Sequence, residues 1–582
     1  MSAPTSDRQV PGSLGPLQRS RDLERLRNEE FDVLVIGGGI TGVGCALDAA
    51  TRGLSVALVE QRDIASGTSS RSSKLLHGGL RYLEQRDFAL VREALHERGL
   101  LTKKVCPHLV RPVRFLIPLT HRVWQRLYYG AGVFLYDLLA WTGKNPLPRH
   151  RHLSRTAALE LVPGLKKSSL IGGILYSDAQ IDDARHTLAV ARTAARHGAA
   201  VVTSTQVRDL VFDTDAPVKT VVGAELTDLE SGESFTCRAK KVVNATGVWI
   251  DDIQDMAGPA GLSVRAAKGV HIVVPRDCID SDSGIVLRTP RSVLFIIPWG
   301  AHWLIGTTDT DWDYDRAHPA ASQADIDYIL EQANVALERP LTEDDIVGVY
   351  AGLRPLVSGE ADDTAKLSRE HAVAQPVPGL ISIAGGKYTT YRVMAADTID
   401  MVAEGLGRRV PPSCTEDVTV VGSDGWDAWV DRAGEIAAEH GLPEALVTRL
   451  LWRHGSRIDD VLSISDEDPS LATVLGELYL AAEVVHAARH EGALHLEDVL
   501  ARRLRISIET EERGTMVADA AAELMAAELG WDDARTAEEI AAWTRRVTAE
   551  RAANDAPDDA SADALRRRAV DARGLIDVEP HE

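Results

Sequence analysis

The stretch that most constrains the fold is residues 31–60, FDVLVIGGGITGVGCALDAATRGLSVALVE, where two apolar runs flank a glycine cluster and a helical pattern. This order predicts a strand, a turn, a helix and a second strand. Gly37 permits a tight turn, Gly39 lets a pyrophosphate approach the backbone, and Gly42 lets the helix pack closely on the strand. Glu60 ends the second strand, where a carboxylate accepts hydrogen bonds from an adenosine ribose. We therefore predict a dinucleotide-binding βαβ unit; the alternative is a plain parallel-sheet crossover.

Length and charge limit the class of protein. A chain of 582 residues exceeds one compact core, so we expect several domains. A net charge of -22 argues against nucleic acid as a partner of the whole chain. The charge is uneven, because residues 1–150 hold 21 Lys and Arg against 14 Asp and Glu. A basic face in this part could meet an anionic phosphate or an anionic lipid surface.

Cysteine usage and the N-terminal segment bear on the compartment. The five cysteines are far apart without a C-x-x-C pair, which argues against a zinc site, an iron–sulfur cluster or a disulfide framework. Residues 1–30 have no apolar core for a signal peptide, and we interpret them as a disordered lead-in. No stretch approaches the ~18 uncharged apolar residues that a membrane-spanning helix needs. We expect a cytoplasmic protein that does not span a membrane.

Three later segments return the chain to the nucleotide site. The loop QRDIASGTSSRSSKLLHGGLRYLE, after the second strand, is rich in glycine and small hydroxyl residues that bring backbone close to a ligand. An apolar strand ends in NATG at residues 244–247, which is typical of FAD proteins. The stretch LISIAGGKYTTYRVMAADTIDMV is again a strand, a glycine turn and a helix, whose N-terminus can face an anion or a flavin.

The predicted fold class is α/β: a Rossmann-like FAD-binding domain with an antiparallel β-sheet substrate cap and a C-terminal all-α domain. Strand-rich residues 262–310 predict the cap, and the Ala-, Leu-, Glu- and Arg-rich residues 425–545 predict the helical domain. The predicted divisions begin with a disordered lead-in 1–30 and end with a helical domain 408–547 and a flexible tail 548–582. Between them lies a region 31–407, with FAD-binding parts near 31–110, 170–260 and 350–407 and cap parts near 111–169 and 261–349.

Residues 121–142, HRVWQRLYYGAGVFLYDLLAWT, are crowded with aromatic and aliphatic side chains but interrupted by Arg126, Gly130, Gly132 and Asp137. Two interpretations stay open. The segment is a helix packed against another domain, or it is an anchor that lies on a membrane surface.

The motifs GGGITGVG, SSKLLHGGLRYLE, NATGVW, KGVHIVVP, IGTTDT, GLRPL, SREH and GGKYTTYR occur in an order and spacing that resemble the FAD-dependent glycerol-3-phosphate dehydrogenase family. The resemblance covers residues 31 to about 400 and extends into the helical domain. It implies oxidation of sn-glycerol 3-phosphate to dihydroxyacetone phosphate, with a hydride passing from C2 to flavin N5 and electrons passing to a membrane quinone. We further expect non-covalent FAD, and a homodimer stays open. The basic N-terminal part and the aromatic residues 121–142 favour a quinone that is reached through peripheral attachment to the cytoplasmic membrane face.

Such a reaction needs a phosphate anchor, a base near the C2 hydroxyl and positive charge near the developing negative charge. Arg354 and Arg369, 15 residues apart, are the predicted phosphate clamps, because a guanidinium fork meets phosphate oxygens two at a time. Arg81 is predicted on the substrate side. The alternative for each arginine is a structural ion pair.

The remaining chemistry is assigned to a lysine, a threonine and a histidine. Lys387 and Thr389 follow a double glycine at a helix start, where an ammonium and a hydroxyl can stabilise substrate oxygen or reduced flavin. His271 is the predicted base, since imidazole titrates near the working pH, although a core histidine is the common alternative. His77 competes as base or flavin contact, including a covalent histidyl link, and Asp309 either orients a neighbour or ends a strand.

The predicted catalytic residues are His271, Lys387 and Arg354. The predicted substrate contacts are Arg81, Arg354, Arg369, Lys387 and Thr389. The predicted cofactor contacts are Gly37, Gly39, Gly42, Glu60, Ser69, Ser70, His77, Gly78, Gly79, Thr246, Gly247, Gly385 and Gly386.

Three rival functions remain at this point. A glycerol-3-phosphate oxidase would use dioxygen as acceptor. An amine or amino-acid oxidase on the same scaffold would need only one arginine to hold a carboxylate. A flavin-binding regulatory protein would have lost turnover altogether.

Overall fold

The computed structural model describes residues 10–79, 83, 87–121, 123–142, 147–215, 217–258, 261–290, 293–357, 370–476 and 479–575. Among them lie twenty strands. Their bounds are β1 Glu30–Ile36, β2 Val56–Val59, β3 Leu75–Leu76, β4 Val110–Leu119, β5 Arg151–Ser154, β6 Gly172–Ile181, β7 Ala200–Val202, β8 Thr205–Asp213, β9 Thr220–Asp228, β10 Ser234–Asn244, β11 Val264–Pro275, β12 Gly284–Arg288, β13 Val293–Trp299, β14 His302–Gly306, β15 Thr310–Asp311, β16 Gly348–Val357, β17 His371–Val377, β18 Leu380–Gly385, β19 Val474–Leu475 and β20 Tyr479–Leu480.

The same residues form eighteen α-helices and two π-helical segments. The helices are α1 Pro16–Asn28, α2 Ile40–Thr51, α3 Phe88–Leu100, α4 Trp124–Thr142, α5 Arg155–Leu161, α6 Asp183–Arg196, α7 Ile250–Asp255, α8 Gln323–Asn334, α9 Tyr391–Glu404, α10 Trp426–Asp431, α11 Ala433–His440, α12 Glu444–His454, α13 Ile458–Glu467, α14 Ala481–His490, α15 Ile506–Glu509, α16 Ala518–Leu529, α17 Asp533–Asn554 and α18 Asp559–Arg566. The π-helical segments are Leu101–Val105 and Asp498–Leu504.

The first sheet carries the predicted nucleotide-binding unit. Its strand order is β17-β18-β10-β1-β2-β7, in which β1 runs parallel to both β2 and β10. All four residues of β2 and six of the seven in β1 are buried, as expected for a parallel sheet covered on both faces. Helix α2 crosses from β1 to β2, so the strand, helix and strand predicted for residues 31–60 are confirmed.

The second sheet forms the cap. Its order is β15-β11-β14-β13-β12-β4-β6-β3, with β16 paired to β11 and β5 to β6. Its pairings are antiparallel except for β12 with β4. The cap takes more of the chain than predicted, because β6 and β16 belong to this sheet rather than to the nucleotide-binding one. Strand β16 also lines the cavity described below, so the cap sheet and the nucleotide-binding sheet both contribute to the wall of that cavity.

The predicted helical domain is present from Trp426 onward, with one short hairpin, β19–β20, inside it. Its two apolar clusters pack around buried aliphatic side chains such as Leu450 and Leu500. The α/β class with an all-α C-terminal domain is confirmed.

The described parts of both end segments, residues 10–30 and 548–575, are ordered, unlike the predicted disorder. Within the lead-in, α1 packs on the first sheet, where the Asp22 carboxylate accepts a hydrogen bond of 3.0 Å from the backbone N–H of Val201. Within the predicted tail, α18 forms and Arg573 donates to Asp498 at 2.9 Å. These segments are polar in composition, so their order depends on buried charged partners elsewhere in the chain that a local pattern does not reveal.

In the described part of the chain, none of the helices has the length and apolarity needed to cross a membrane.

Candidate active site

The glycine turn after β1 explains why this residue type occurs there. Gly37 has φ +111°, and a Cβ on it would lie 2.7 Å from the Ala245 carbonyl oxygen. A Cβ on Gly42 would lie 1.9 Å from the Gly37 carbonyl oxygen, so α2 could not approach the turn so closely with any other residue. Gly39 is the N-cap of α2. A pyrophosphate can therefore approach the start of α2 without steric obstruction from side chains of the turn.

Glu60 lies at the carboxyl end of β2, beside that turn. Its Oε2 accepts a hydrogen bond from the Gly38 N–H at 2.7 Å, and its Oε1 accepts one from the Arg62 N–H at 2.8 Å. Burial raises the pKa of Glu60, while the two N–H donors oppose this change. The carboxylate is held in position to accept hydroxyl groups as well, as the ribose prediction requires.

A cavity of about 410 Å³ opens at these groups, within the size range of small-molecule sites. It runs between the glycine turn, the loop after β2 and the cap sheet. The predicted site residues on its wall are Gly37, Gly39, Glu60, Ser69, His77, Thr246, Gly247, His271, Arg354, Gly385, Gly386, Lys387 and Thr389. The sequence motifs therefore converge on one cavity, which we call the main cavity.

Other predicted residues lie elsewhere. Of those that the structure describes, Gly42, Ser70, Gly78 and Gly79 lie off the wall of the main cavity. Gly78 instead donates its N–H to the Tyr136 hydroxyl at 2.8 Å, and the Ser70 carbonyl oxygen accepts from Lys74 Nζ at 3.1 Å. Arg81 and Arg369 lie outside the described residues.

Arg354 on β16 is held by several acceptors in the segment after β14. Its Nη2 donates to Thr307 Oγ1 and to the Thr308 carbonyl oxygen, both at 3.1 Å. Its Nη1 lies 3.2 Å from Asp309 Oδ1, so Asp309 orients the guanidinium. The arginine side chain keeps 22% of its surface exposed, and it borders the main cavity.

His271 on β11 is buried on the same wall. Its Nε2 lies 2.9 Å from Ser73 Oγ, and its ring lies parallel to the Tyr350 ring with centroids 4.8 Å apart. Burial, and then the charges of Arg354 and Lys74, lower the pKa of His271 to about 3. The imidazole is therefore neutral at physiological pH. Its Nδ1 is buried and has no hydrogen-bond partner in the described part of the chain.

Lys387 and Thr389 begin the segment that leads into α9. Gly385 and Gly386 both have positive φ, +74° and +78°, and a Cβ on Gly386 would lie 2.5 Å from Met394 Sδ. This turn directs Lys387, whose Nζ is buried, toward the main cavity. Thr389 Oγ1 lies 3.5 Å from the His77 carbonyl oxygen, which brings the two predicted segments together.

Sequence reasoning missed Ser73, Lys74 and Tyr350. Tyr350 donates its hydroxyl to the Ser72 carbonyl oxygen at 3.0 Å while it stacks on His271. Lys74 has φ +56°, and its Nζ lies 2.9 Å from Asp183 Oδ1. Ser73 and Lys74 stand in the quoted motif SSKLLHGG, which is the one signal that could have pointed to them.

The C-terminal domain also contacts this loop. Arg505 forms an ion pair with the buried Asp183 and donates to the Ser70 carbonyl oxygen at 3.0 Å. Arg503 donates to both oxygens of the buried Asp63 at 2.7 Å. The loop that lines the main cavity is thus held from behind by arginines more than 400 residues away in sequence.

One group of metal-capable side chains, His454, His486 and Glu491, converges in the described residues. Glu491 is already neutralised by Arg185 at 2.6 Å, and Arg185 also lies 3.2 Å from His454 Nδ1. A guanidinium at this position repels a cation, so the group forms an ion-pair network.

Comparison with known proteins agrees with this geometry. Residues 32–392 match the family model "FAD dependent oxidoreductase", and residues 413–536 match "C-terminal domain of alpha-glycerophosphate oxidase". The chain is 57% identical over 571 residues to glycerol-3-phosphate dehydrogenase 2 of Mycobacterium tuberculosis, covering 98% of this chain and 96% of that one. It is 37% identical over 552 residues to the human mitochondrial glycerol-3-phosphate dehydrogenase, covering 91% and 75%.

A solved structure gives the same result for the fold. The glycerol-3-phosphate dehydrogenase from Bacillus halodurans, solved with FAD, superposes with a TM-score of 0.75 at 30% identity and covers 93% of this chain and 97% of that one.

The fold and the main cavity are those of an FAD-dependent oxidoreductase. The glycine turn after β1, which we call the glycine cradle, fits this cofactor, because the turn at Gly37 and the close contact of Gly42 with it both require glycine, and Gly37, Gly39 and Glu60 line the main cavity. Within that class, the chain belongs to the FAD-dependent glycerol-3-phosphate dehydrogenase family.

Proposed function

We propose that this protein oxidises sn-glycerol 3-phosphate to dihydroxyacetone phosphate and delivers the electrons to a membrane quinone. The observation that carries the proposal is the convergence of His271, Arg354 and Lys387 on the wall that also holds the glycine cradle. This cradle would hold FAD, which would supply the hydride acceptor for C2 of the substrate.

Arg354 binds the phosphate in this proposal. Asp309 and the acceptors at Thr307 and Thr308 fix its guanidinium before the substrate arrives, which lowers the entropy cost of binding a dianion. Lys387 supplies positive charge for the oxygen on C2 as it loses its proton. Arg369 and Arg81 remain proposed as additional substrate contacts.

His271 takes the proton of the C2 hydroxyl. Because Nδ1 is buried, the proton reaches Nε2, directly or through the Ser73 hydroxyl 2.9 Å away. A pKa of about 3 makes the free imidazole a weak base. A bound phosphate dianion offsets the charge of Arg354, which is one cause of the low pKa, so substrate binding raises the basicity of His271 when it is needed.

The decisive experiment is an anaerobic titration of the purified holoenzyme with glycerol 3-phosphate. Reduction should bleach the flavin absorbance, whereas glycerol, which lacks the phosphate, should bleach it far less. A flavin that stays oxidised at saturating glycerol 3-phosphate would exclude this substrate.

Helix α4 supports contact with a membrane surface. Val133, Tyr136 and Ala140 on one side are buried. The opposite stripe is apolar and exposed, with Leu127 and Trp141 each 69% exposed. Its members are Trp124, Leu127, Tyr128, Phe134, Leu138 and Trp141. An apolar stripe with aromatic members suits the interfacial region of a bilayer, where a quinone is accessible.

Liposome co-sedimentation tests this part. The double substitution Leu127→Ser and Trp141→Ser should release the protein from vesicles while leaving turnover with a water-soluble quinone unchanged. Equal sedimentation of both proteins would remove α4 from the membrane contact.

Dioxygen is the second candidate acceptor, because residues 413–536 match a domain named for an oxidase. Peroxide yield in air, measured with and without added quinone, separates the two acceptors. Stoichiometric peroxide that added quinone does not suppress would favour the oxidase.

A further inference from the structure

A second cavity, of about 70 Å³, lies behind the main one, between the loop after β2 and the C-terminal domain. We call it the arginine cavity. Its wall is composed of residues from four distant parts of the chain. The charged side chains on this wall are Arg71, Arg502, Arg505, Arg513, Arg546, Arg566 and Glu550.

Two of these arginines form short ion pairs with carboxylates that do not line the arginine cavity. Arg502 contacts Asp63 and Asp498, each at 2.5 Å. Arg505 contacts Asp182 at 2.8 Å. Their charges are balanced outside the arginine cavity.

The other four are not balanced in the described part of the chain. Glu550 lies 2.8 Å from Arg546 but 3.7 Å from Arg566 and 3.9 Å from Arg513, so one carboxylate faces three guanidinium groups. Arg546 has one further carboxylate, Glu497, which it shares with Arg502. The surplus of positive charge therefore lies at Arg513, Arg566 and Arg71.

Arg71 and Arg513 show the deficit most directly. Arg71 donates to the Ala317 carbonyl oxygen at 3.1 Å, and the described residues place no carboxylate within 4.0 Å of it. Arg513 is 7% exposed, and its Nη1 is buried with no hydrogen-bond partner in the same residues. Burial lowers the pKa of Arg71, Arg513 and Arg566, as expected for charged groups without full compensation.

A buried guanidinium without a counter-charge is costly, because it loses bulk hydration and no carboxylate repays that loss. The size of the arginine cavity narrows the identity of the missing partner. One water needs about 10–15 Å³ of such volume, so 70 Å³ holds about five waters, or one tetrahedral oxyanion with a single water. The planar guanidinium group matches an oxyanion with two parallel N–H donors, a geometry that the single atom of a chloride ion cannot reproduce.

We propose that the arginine cavity is a binding site for a small tetrahedral oxyanion, inorganic phosphate or the phosphate group of a small ester, held by Arg71, Arg513 and Arg566. The anion joins the C-terminal domain to the loop after β2. Arg71 also borders the main cavity, so the site is adjacent to the flavin-binding loop but separate from Arg354 and Lys387.

The test is isothermal titration of the holoenzyme with inorganic phosphate, at ionic strength held constant with NaCl. The Arg354→Ala enzyme is used, because the main cavity would otherwise bind phosphate too. We expect one saturable site per chain, and a higher melting temperature in phosphate than in equimolar NaCl. Absence of saturable phosphate binding in this background overturns the proposal.

Two substitutions and a matched control locate the site. Arg513→Met should weaken phosphate binding at least tenfold, and Arg513→Lys, which keeps the charge but not the fork, should weaken it less. Arg545→Met is the control, since Arg545 is exposed on α17 and pairs only with Glu538 in the described chain. Should Arg513→Met fail to fold, the lysine variant decides. Equal binding by the Arg513 variants and the control contradicts the proposal.

A competition arm identifies the source of the anion. Glycerol 3-phosphate added to the Arg354→Ala enzyme displaces phosphate if the site accepts an ester, and leaves it bound if the site takes only the free ion. Displacement that persists in Arg513→Met would place the competition elsewhere and contradict the assignment. Failure of the anion-site proposal can be distinguished from failure of the proposed activity. The activity is tested by flavin bleaching with glycerol 3-phosphate on the unmodified enzyme.

Discussion

The loop after β2 has two sides that are held in opposite ways. On the main-cavity side the wall is made of glycine turns and a few charges that ligands can reach, such as Arg354, whose side chain keeps 22% of its surface exposed. On the C-terminal side the contacts are buried ion pairs, with Asp63 between Arg502 and Arg503 and with Asp183 beside Arg505. Charged groups on the main-cavity side can contact ligands, whereas those on the C-terminal side form ion pairs that hold the loop in position.

Substitutions on the C-terminal side of the loop should cause the largest loss of stability. Asp63→Asn keeps the shape of the side chain but leaves Arg502 and Arg503 without their shared carboxylate. Removing one partner of a buried ion pair costs about 3–5 kcal/mol. We expect the urea concentration at which the C-terminal domain is half unfolded to fall accordingly. The affinity for FAD should also decrease. The control is Asp311→Asn, which breaks an exposed pair with Arg265 and should cost less than about 1 kcal/mol. Equal midpoints for the two variants would contradict a structural role for the buried pair.

On the main-cavity side, Arg354→Ala should lower the urea midpoint less than Asp63→Asn does, because its pair with Asp309 is partly exposed. Its main effect should be on substrate binding. Loss of a charged phosphate contact of about 2–3 kcal/mol corresponds to a decrease of about 30- to 150-fold in kcat/KM, expressed mainly in KM. FAD content should stay at one per chain. Steady-state kinetics and the flavin absorbance measure both quantities. Unchanged kinetics would remove Arg354 from the substrate site.

The two sides also differ in how far the sequence predicts them. The main-cavity side consists of short motifs. The residues of each glycine turn, of NATG and of GGKYTTYR determine their own backbone geometry, so each can be predicted from a short stretch of sequence. Their convergence follows from the parallel strands β1, β2, β10 and β18. Arg503 and Asp63 carry no such signal, because their pairing joins segments 440 residues apart and each residue alone resembles a solvated charge. The order of the C-terminal tail was missed for the same reason.

On the main-cavity side, substitutions of cofactor contacts should have effects that differ from those of substrate contacts. Glu60→Gln replaces one of the two carboxylate oxygens with an NH₂ group facing backbone donors at Gly38 and Arg62. We expect FAD affinity to fall about tenfold, which is about 1.4 kcal/mol, with an unchanged KM for glycerol 3-phosphate in excess FAD. Fluorescence quenching on reconstitution of the apoprotein measures this affinity, and Arg354→Ala serves as the control that should retain it. Unaltered FAD affinity in Glu60→Gln would argue against the ribose contact.

Ser73 connects the two sides of the loop. Its neighbour Ser72 is bound by Asp183 on the C-terminal side, and its own hydroxyl lies beside His271 on the main-cavity side. The Ser72 N–H donates to Asp183 Oδ2 at 2.9 Å, so the position of Ser73 depends on the buried ion pair. Ser73→Ala removes the hydrogen bond to Nε2 and should lower kcat about fivefold, or about 1 kcal/mol, without altering KM or FAD content. Ser73→Thr restores the hydroxyl and should recover most of kcat. A role in orienting the imidazole also predicts that the acid limb of the kcat profile shifts in Ser73→Ala, which a purely structural hydroxyl would not cause. If kcat and its pH profile are the same in all three proteins, His271 takes its proton without Ser73, and the positional function of the C-terminal side does not extend to the base.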